Sequence, residues 1–146
     1  MINERRRRLG IVTAMVMVIL LPLAGTWARL GREKGCAFDG EKIVPNYRVR
    51  IVDHGNQSHA FCSVACATRW LEGKETEPRE IYVTDEVSGR EISASVASYV
   101  HSQVVTMKVS GNMVHVYENR ADAENHARLW KGRFVRPWQR SEEHKK

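Results

Sequence analysis

Two of the chain's three cysteines stand four residues apart in His59-Ala60-Phe61-Cys62-Ser63-Val64-Ala65-Cys66-Ala67-Thr68-Arg69-Trp70. The third, Cys36, lies upstream in Gly35-Cys36-Ala37-Phe38-Asp39-Gly40. Three thiolates suit a soft metal ion, Cu(I) or Zn(II), with His59 or a methionine completing the set. Ser63 predicts a helix N-cap and Gly73 the helix end. Cys62 then falls just before the helix and Cys66 in its first turn. Free N–H groups and the positive end of the helix dipole there favour the thiolate, which is the form that binds metal. Two other readings stay open. A disulfide could join Cys36 to one of the pair, whereas a Cys62–Cys66 bridge is strained if both lie in helix, where such Cα atoms are roughly 6 Å apart. The thiols could also be no more than small buried apolar groups. An odd cysteine count weighs against a purely structural disulfide framework.

Met107 and Met113 flank a turn and are further candidates, because thioethers also suit Cu(I); the alternative for each is plain packing. His59, three residues before Cys62, could reach the same ion or, as a strand residue, face solvent. Asp39 reads first as a turn former with Gly40 and second as an outer-shell carboxylate. No Ser/His/Asp triad, phosphate-cradling loop or carboxylate pair stands out. The chain therefore reads as a binding protein and not an enzyme.

The elements that must position these groups follow from the rest of the sequence. At 146 residues the chain is long enough for one domain with a real core. Its net charge of +6 sits largely at the two ends, in residues 5–8 and in a tail holding Arg133, Arg136, Arg140, Lys145 and Lys146. No stretch interleaves basic and aromatic residues, so nucleic acid is not an expected partner. Residues 10–28 carry no charge and are long enough to cross a hydrocarbon core of about 30 Å. They read as a retained membrane anchor in preference to a cleaved signal, with Trp27 at the interface. Four arginines before the run, against Arg29, Arg32 and Lys34 after it, favour an N-terminus inside and a single-pass protein whose soluble domain lies outside the cytoplasm. Export of that kind places the cysteines in an oxidising or metal-exchanging compartment, such as a periplasm.

The expected organisation is a basic segment at 1–9, the anchor at 10–28, a linker at 29–35, a metal-binding domain at 36–136 and a polar tail at 137–146. Within the domain, alternation over residues 47–53 predicts a strand with Tyr47, Val49 and Ile51 inward. Residues 58–61, 81–84, 104–109, 113–117 and 133–135 also read as strands, with a short extended piece at 91–94. Residues 95–101 read as a helical turn. Asn119 predicts the cap of a second helix over 120–131, with Asp122 placed for a capping-box-like arrangement. Residues 59–67 overlay on residues 115–123: the His, aromatic, cap and two Ala positions coincide. The predicted class is α+β, an N-terminal transmembrane helix followed by two strand–strand–helix–strand repeats. Where the second copy has Glu118 and Asp122, the first has Cys62 and Cys66, so the fold does not need thiols there.

With Tyr82-Val83-Thr84-Asp85, Ala97-Ser98-Tyr99-Val100 and Ala121-Asp122-Ala123 placed after the cysteine stretch, the chain resembles the NosL family, membrane-attached copper-binding accessory proteins of nitrous oxide reductase assembly. Phe61-Cys62-Ser63-Val64-Ala65-Cys66 also resembles the TRASH-type pattern, in which a distant Cys joins a Cys-x3-Cys pair. The family's Cys-Gly-Met start is here Cys36-Ala37-Phe38. The resemblance implies a copper chaperone that passes Cu(I) to a client metalloprotein, in a fold similar to part of organomercurial lyase. Two alternatives accompany this reading. One is a thiol enzyme, either a disulfide oxidoreductase or a lyase of organomercury with Asp39 as its nearby proton donor. The other is a structural subunit with a zinc or disulfide staple.

Overall fold

A computed structural model of the chain describes residues 35–139. The basic segment, the anchor, all but the last residue of the linker, and the tail from residue 140 lie outside the described residues. Among the described residues no helix is long and apolar enough to cross a membrane.

Nine elements follow a short 3₁₀ turn at Pro45–Tyr47: β1 (Val49–Val52), β2 (Ser58–Phe61), α1 (Val64–Glu72), β3 (Glu80–Thr84), β4 (Glu91–Ser93), β5 (Ser98–His101), β6 (Val114–Tyr117), α2 (Arg120–Leu129) and β7 (Arg133–Val135). The class is α+β, with two antiparallel sheets and two helices. The sheets run in the orders β2-β1-β3-β4 and β6-β5-β7. In both, the first strand of a strand–strand–helix–strand run lies between the other two, and β4 adds an edge to the first sheet only.

Alternation explains β1. Val49 and Ile51 are buried, while Arg50 points away from them to Glu91 and lies over the Tyr82 ring. The buried core joins Val49, Ile51, Phe61 and Val83 of the first sheet to Tyr99 and Val116 of the second. Each fully buried side chain of this size contributes roughly 1.5–3 kcal/mol relative to exposure. Both helices start at their sequence signals: Ser63 Oγ accepts from Cys66 N at 3.2 Å, and Asn119 Oδ1 from Ala121 N at 2.9 Å.

Three expectations fail, each for a physical reason. Tyr47 belongs to the 3₁₀ turn and not to β1, because Pro45 starts that turn with its φ already fixed. Residues 98–101 form a strand, β5, the middle strand of its sheet, where Tyr99 and Val100 are buried. Its β-forming side chains and its place between two partners override the helical reading. Residues 104–109 make no strand. They form an irregular arm whose only ladder contact is a single bridge, Met107 to Asn112, closed by a turn with Gly111 at φ +63. Val105 and Val109 of the arm face solvent.

The arm fastens the second half to the start of α1. Asn112 is fully buried, and all its polar atoms are used. Its Oδ1 accepts from Ala65 N at 3.1 Å, and its Nδ2 donates to Thr106 Oγ1 at 2.6 Å and to the Val114 carbonyl at 2.8 Å. Beside it, Ser63 Oγ donates to Ser110 Oγ at 3.0 Å. Replacing Asn112 by Ala leaves these buried groups unpaired, and the expected loss of stability is about 2–3 kcal/mol. Urea denaturation measures it; a loss within about 0.5 kcal/mol of zero, typical of an ordinary surface change, would show that the clamp carries no weight.

Candidate metal centre

The segment bearing Cys36 is a tight loop. Cys36 N donates to the Glu41 carbonyl at 2.8 Å, and Gly40 N donates back to the Cys36 carbonyl at 2.8 Å. Gly40 has φ +77, which L side chains adopt at a cost. A Cβ at Gly35 would collide with the Gly40 carbonyl. Asp39 Oδ1 accepts from Glu41 N at 3.1 Å, which turns its other oxygen free for use elsewhere. Ala37 N donates to the Ala60 carbonyl at 2.8 Å, pinning the loop to the strand that leads into Cys62. Local chain chemistry therefore brings Cys36 and Asp39 to the start of α1.

Cys62 and Cys66 come from the other side. Ser63 has extended backbone with φ −164, so the chain enters the helix through a sharp change of direction. Cys62 Sγ ends 3.5 Å from Cys66 Sγ. The ligand atoms of Cys36, Asp39, Cys62 and Cys66 all lie within 4.8 Å of one another. Two sulfurs on one metal at bonds near 2.3 Å are about 3.8 Å apart in a tetrahedron. The donor set therefore fits a soft metal ion with little rearrangement. All three cysteines are free thiols, so a disulfide does not join any of them.

The electrostatics depart from the sequence expectation. A helix N-terminus favours thiolate, yet both thiols at this helix start are pushed the other way. Burial raises the Cys66 pKa, and the hydrogen bond it donates to Asp39 Oδ2 at 3.0 Å raises it further. Burial also raises the Cys62 pKa, with the Cys36 thiol adding to it. The helix offers little compensation because the Ala65 and Cys66 N–H groups are already taken by Asn112 and Ser63. At Asp39 the balance is reversed. Partial desolvation opposes its ionisation, but hydrogen bonds from Cys36 and Cys66, the Glu41 N–H and Cys62 outweigh that and hold its pKa below the usual carboxylate value. The metal-free site is thus a carboxylate facing protonated Cys62 and Cys66 thiols, and loading it releases protons.

The other candidates stand as follows. His59 is outside the cluster: its Nε2 lies 3.2 Å from Asp53 Oδ2, and its ring packs on Trp70 at 4.8 Å. Its counterpart His115 is buried, with Nδ1 3.0 Å from Glu86 Oε2 and Nε2 3.1 Å from the Val104 carbonyl. Met107 packs against the main core and shares the bridge to Asn112, while Met113 is half-buried just before β6. Asp39 is the cluster member that sequence reading ranked too low. It is the turn former expected and also faces the thiols. The available signal was its spacing of three from Cys36 across a Gly40 turn.

The crystal structure of the copper chaperone NosL from Shewanella denitrificans matches this structure with a TM-score of 0.64. The chain has the fold of a copper chaperone. The match covers 77% of this chain and 92% of that one at 19% identity, which establishes likeness of fold. The resemblance to NosL drawn from the order of motifs is therefore met in the architecture. No protein-family model and no curated protein matches the sequence.

Two expectations follow from the site's construction. Gly35→Ala should displace the loop and weaken metal binding, which competition with a chelator reads; unchanged affinity would show that this close approach does not position the donors. The second concerns pH. The Cys62 and Cys66 pKa values are raised in the folded state from an ordinary 9.0. Their contribution to stability is then fully present below that value and is lost as pH climbs past it. The metal-free protein should unfold at lower urea at about pH 10 than at about pH 7, and Cys66→Ser should reduce the difference. An unchanged difference in the variant would mean that Cys66 is not its source.

Proposed function

We propose that this chain is a Cu(I)-binding metallochaperone that delivers the ion to a client cuproenzyme by ligand exchange. The observation that carries the reading is the convergence of three free, buried thiols from two separate segments. Soft thiolates favour Cu(I), and a site without a full set of strong ligands lets an incoming thiolate or thioether replace them one at a time. The fold shared with a copper chaperone supports the same reading. In this proposal residues 10–28 anchor the chain in a membrane, and the metal-binding domain works outside the cytoplasm. The uncharged run and the arginines before it support that placement.

Asp39 favours a second reading, a zinc staple held by three thiolates and one carboxylate for stability alone. The two readings separate in one experiment. The reduced protein is titrated with Cu(I) against a chromophoric chelator, with Zn(II) alongside, and its unfolding is followed with and without metal. A chaperone binds one Cu(I) tightly, stays folded without it, and loses binding in Cys62→Ser and Cys66→Ser. A staple unfolds when the metal is removed. Unchanged Cu(I) affinity in both variants would sink the chaperone reading. Membrane fractionation of the chain with and without residues 10–28 tests the anchor, and recovery of both in the soluble fraction would overturn it.

A further inference from the structure

The four donors of the cluster are not equivalent. Cys62 and Cys66 are fully buried and Cys36 nearly so, whereas Asp39 is exposed. Asp39 is also the only hard donor and sits at the tip of a loop made of short hydrogen bonds and a left-handed glycine. It is therefore both the odd ligand chemically and the one through which solvent reaches the site.

We propose that Asp39 sets which metal the site holds: a fourth ligand taken up by Zn(II) and left free by Cu(I). This deepens the chaperone reading and rests on it.

Charge and coordination preference point the same way. Zn(II) with three thiolates carries one net negative charge and is left short of its tetrahedral set; Asp39 completes the set. Cu(I) with three thiolates already carries two negative charges and is satisfied by soft donors. Adding a carboxylate there would supply a poor ligand and a third negative charge in a partly desolvated place. Because Asp39 is exposed, its release costs little: the freed carboxylate is hydrated and is not left as a buried unpaired charge. The loop keeps its shape in either state, since Asp39 Oδ1 still accepts the Glu41 N–H. With Zn(II) bound, the exposed face is closed by the carboxylate. With Cu(I) bound, that face stays open to a partner's sulfur ligand, so only Cu(I) is ready for transfer.

The test compares wild type, Asp39→Asn and Asp39→Ala. Asn retains an acceptor for the Glu41 N–H, so it keeps the turn while removing the anionic ligand; Ala checks that the result does not depend on the amide. Full-length protein in detergent is titrated with Cu(I) and, separately, with Zn(II), each against a chromophoric chelator. Co(II) absorption reports a change of ligand at the fourth position. The expected result is a fall in Zn(II) affinity of at least about a hundredfold, the upper range for losing a mere outer-shell partner. Cu(I) affinity should not fall, since losing the Asp39 acceptor also eases deprotonation of Cys66, and the Co(II) bands should shift as water replaces the carboxylate. Equal losses for both metals would make Asp39 a common ligand or a structural residue and overturn the proposal. Unchanged Zn(II) affinity would overturn it too. If wild type binds Zn(II) but not Cu(I), the chaperone reading falls, and this inference falls with it.

Discussion

The first turn of α1 is the constraint on which the rest of the molecule depends. A helix opens with N–H groups that have no partner within it, and burial makes each one costly to leave unpaired. Here the partners are drawn from two places: Ser63 next door, and Asn112 from the far half of the chain. Meeting that demand locks the arm at 104–113 against the helix, and with it the second sheet against the first. It also fixes the direction in which Cys62 and Cys66 project. Packing, topology and candidate chemistry meet at one helix terminus.

The same demand shapes the thiols. A helix N-terminus that keeps its N–H groups free makes cysteine acidic. This one spends two of them on neutral side-chain acceptors and buries the sulfurs, so the protons stay on. The carboxylate of Asp39 then takes the thiol hydrogen bonds and is itself held ionised. A site arranged in this way is quiet toward oxidants and electrophiles when empty, because thiolate is the reactive form. It gives up protons when a metal arrives with enough affinity to displace them. That behaviour suits a carrier better than a redox catalyst, whose working thiol must be a thiolate at ambient pH.

Much of this was legible in the chain. Ser63 and Gly73 bracket α1, and Asn119 starts α2, because caps are local chemistry. The overlay of residues 59–67 on 115–123 reflects the doubled layout of the two sheets. What stayed hidden was non-local. Val104, Val105 and Val109 look like strand residues, and only the absence of a neighbouring strand makes them an arm. Ser98 to His101 become a strand because two partners flank them. His59 stands three residues from Cys62 in sequence, but a partner at Asp53 and the Trp70 ring hold it elsewhere. Asp39 was undervalued for the opposite reason. Its turn role was local and obvious, and it masked a second role visible only once α1 is brought beside the loop.

The clamp also dictates an order of assembly. The bonds from Ala65 and Ser63 to the arm join residues 47 positions apart in sequence. The loop that carries Cys36 and Asp39 is much nearer to the cysteine helix along the chain. A chain emerging from the ribosome therefore presents all four donors well before the residues that seat the helix exist. Long-range contacts form late because their loop-closure entropy is met last. Until Asn112 has been made, the Ala65 N–H lacks the acceptor that it has in the finished fold. The finished geometry is reserved for a chain that has been made to its second sheet.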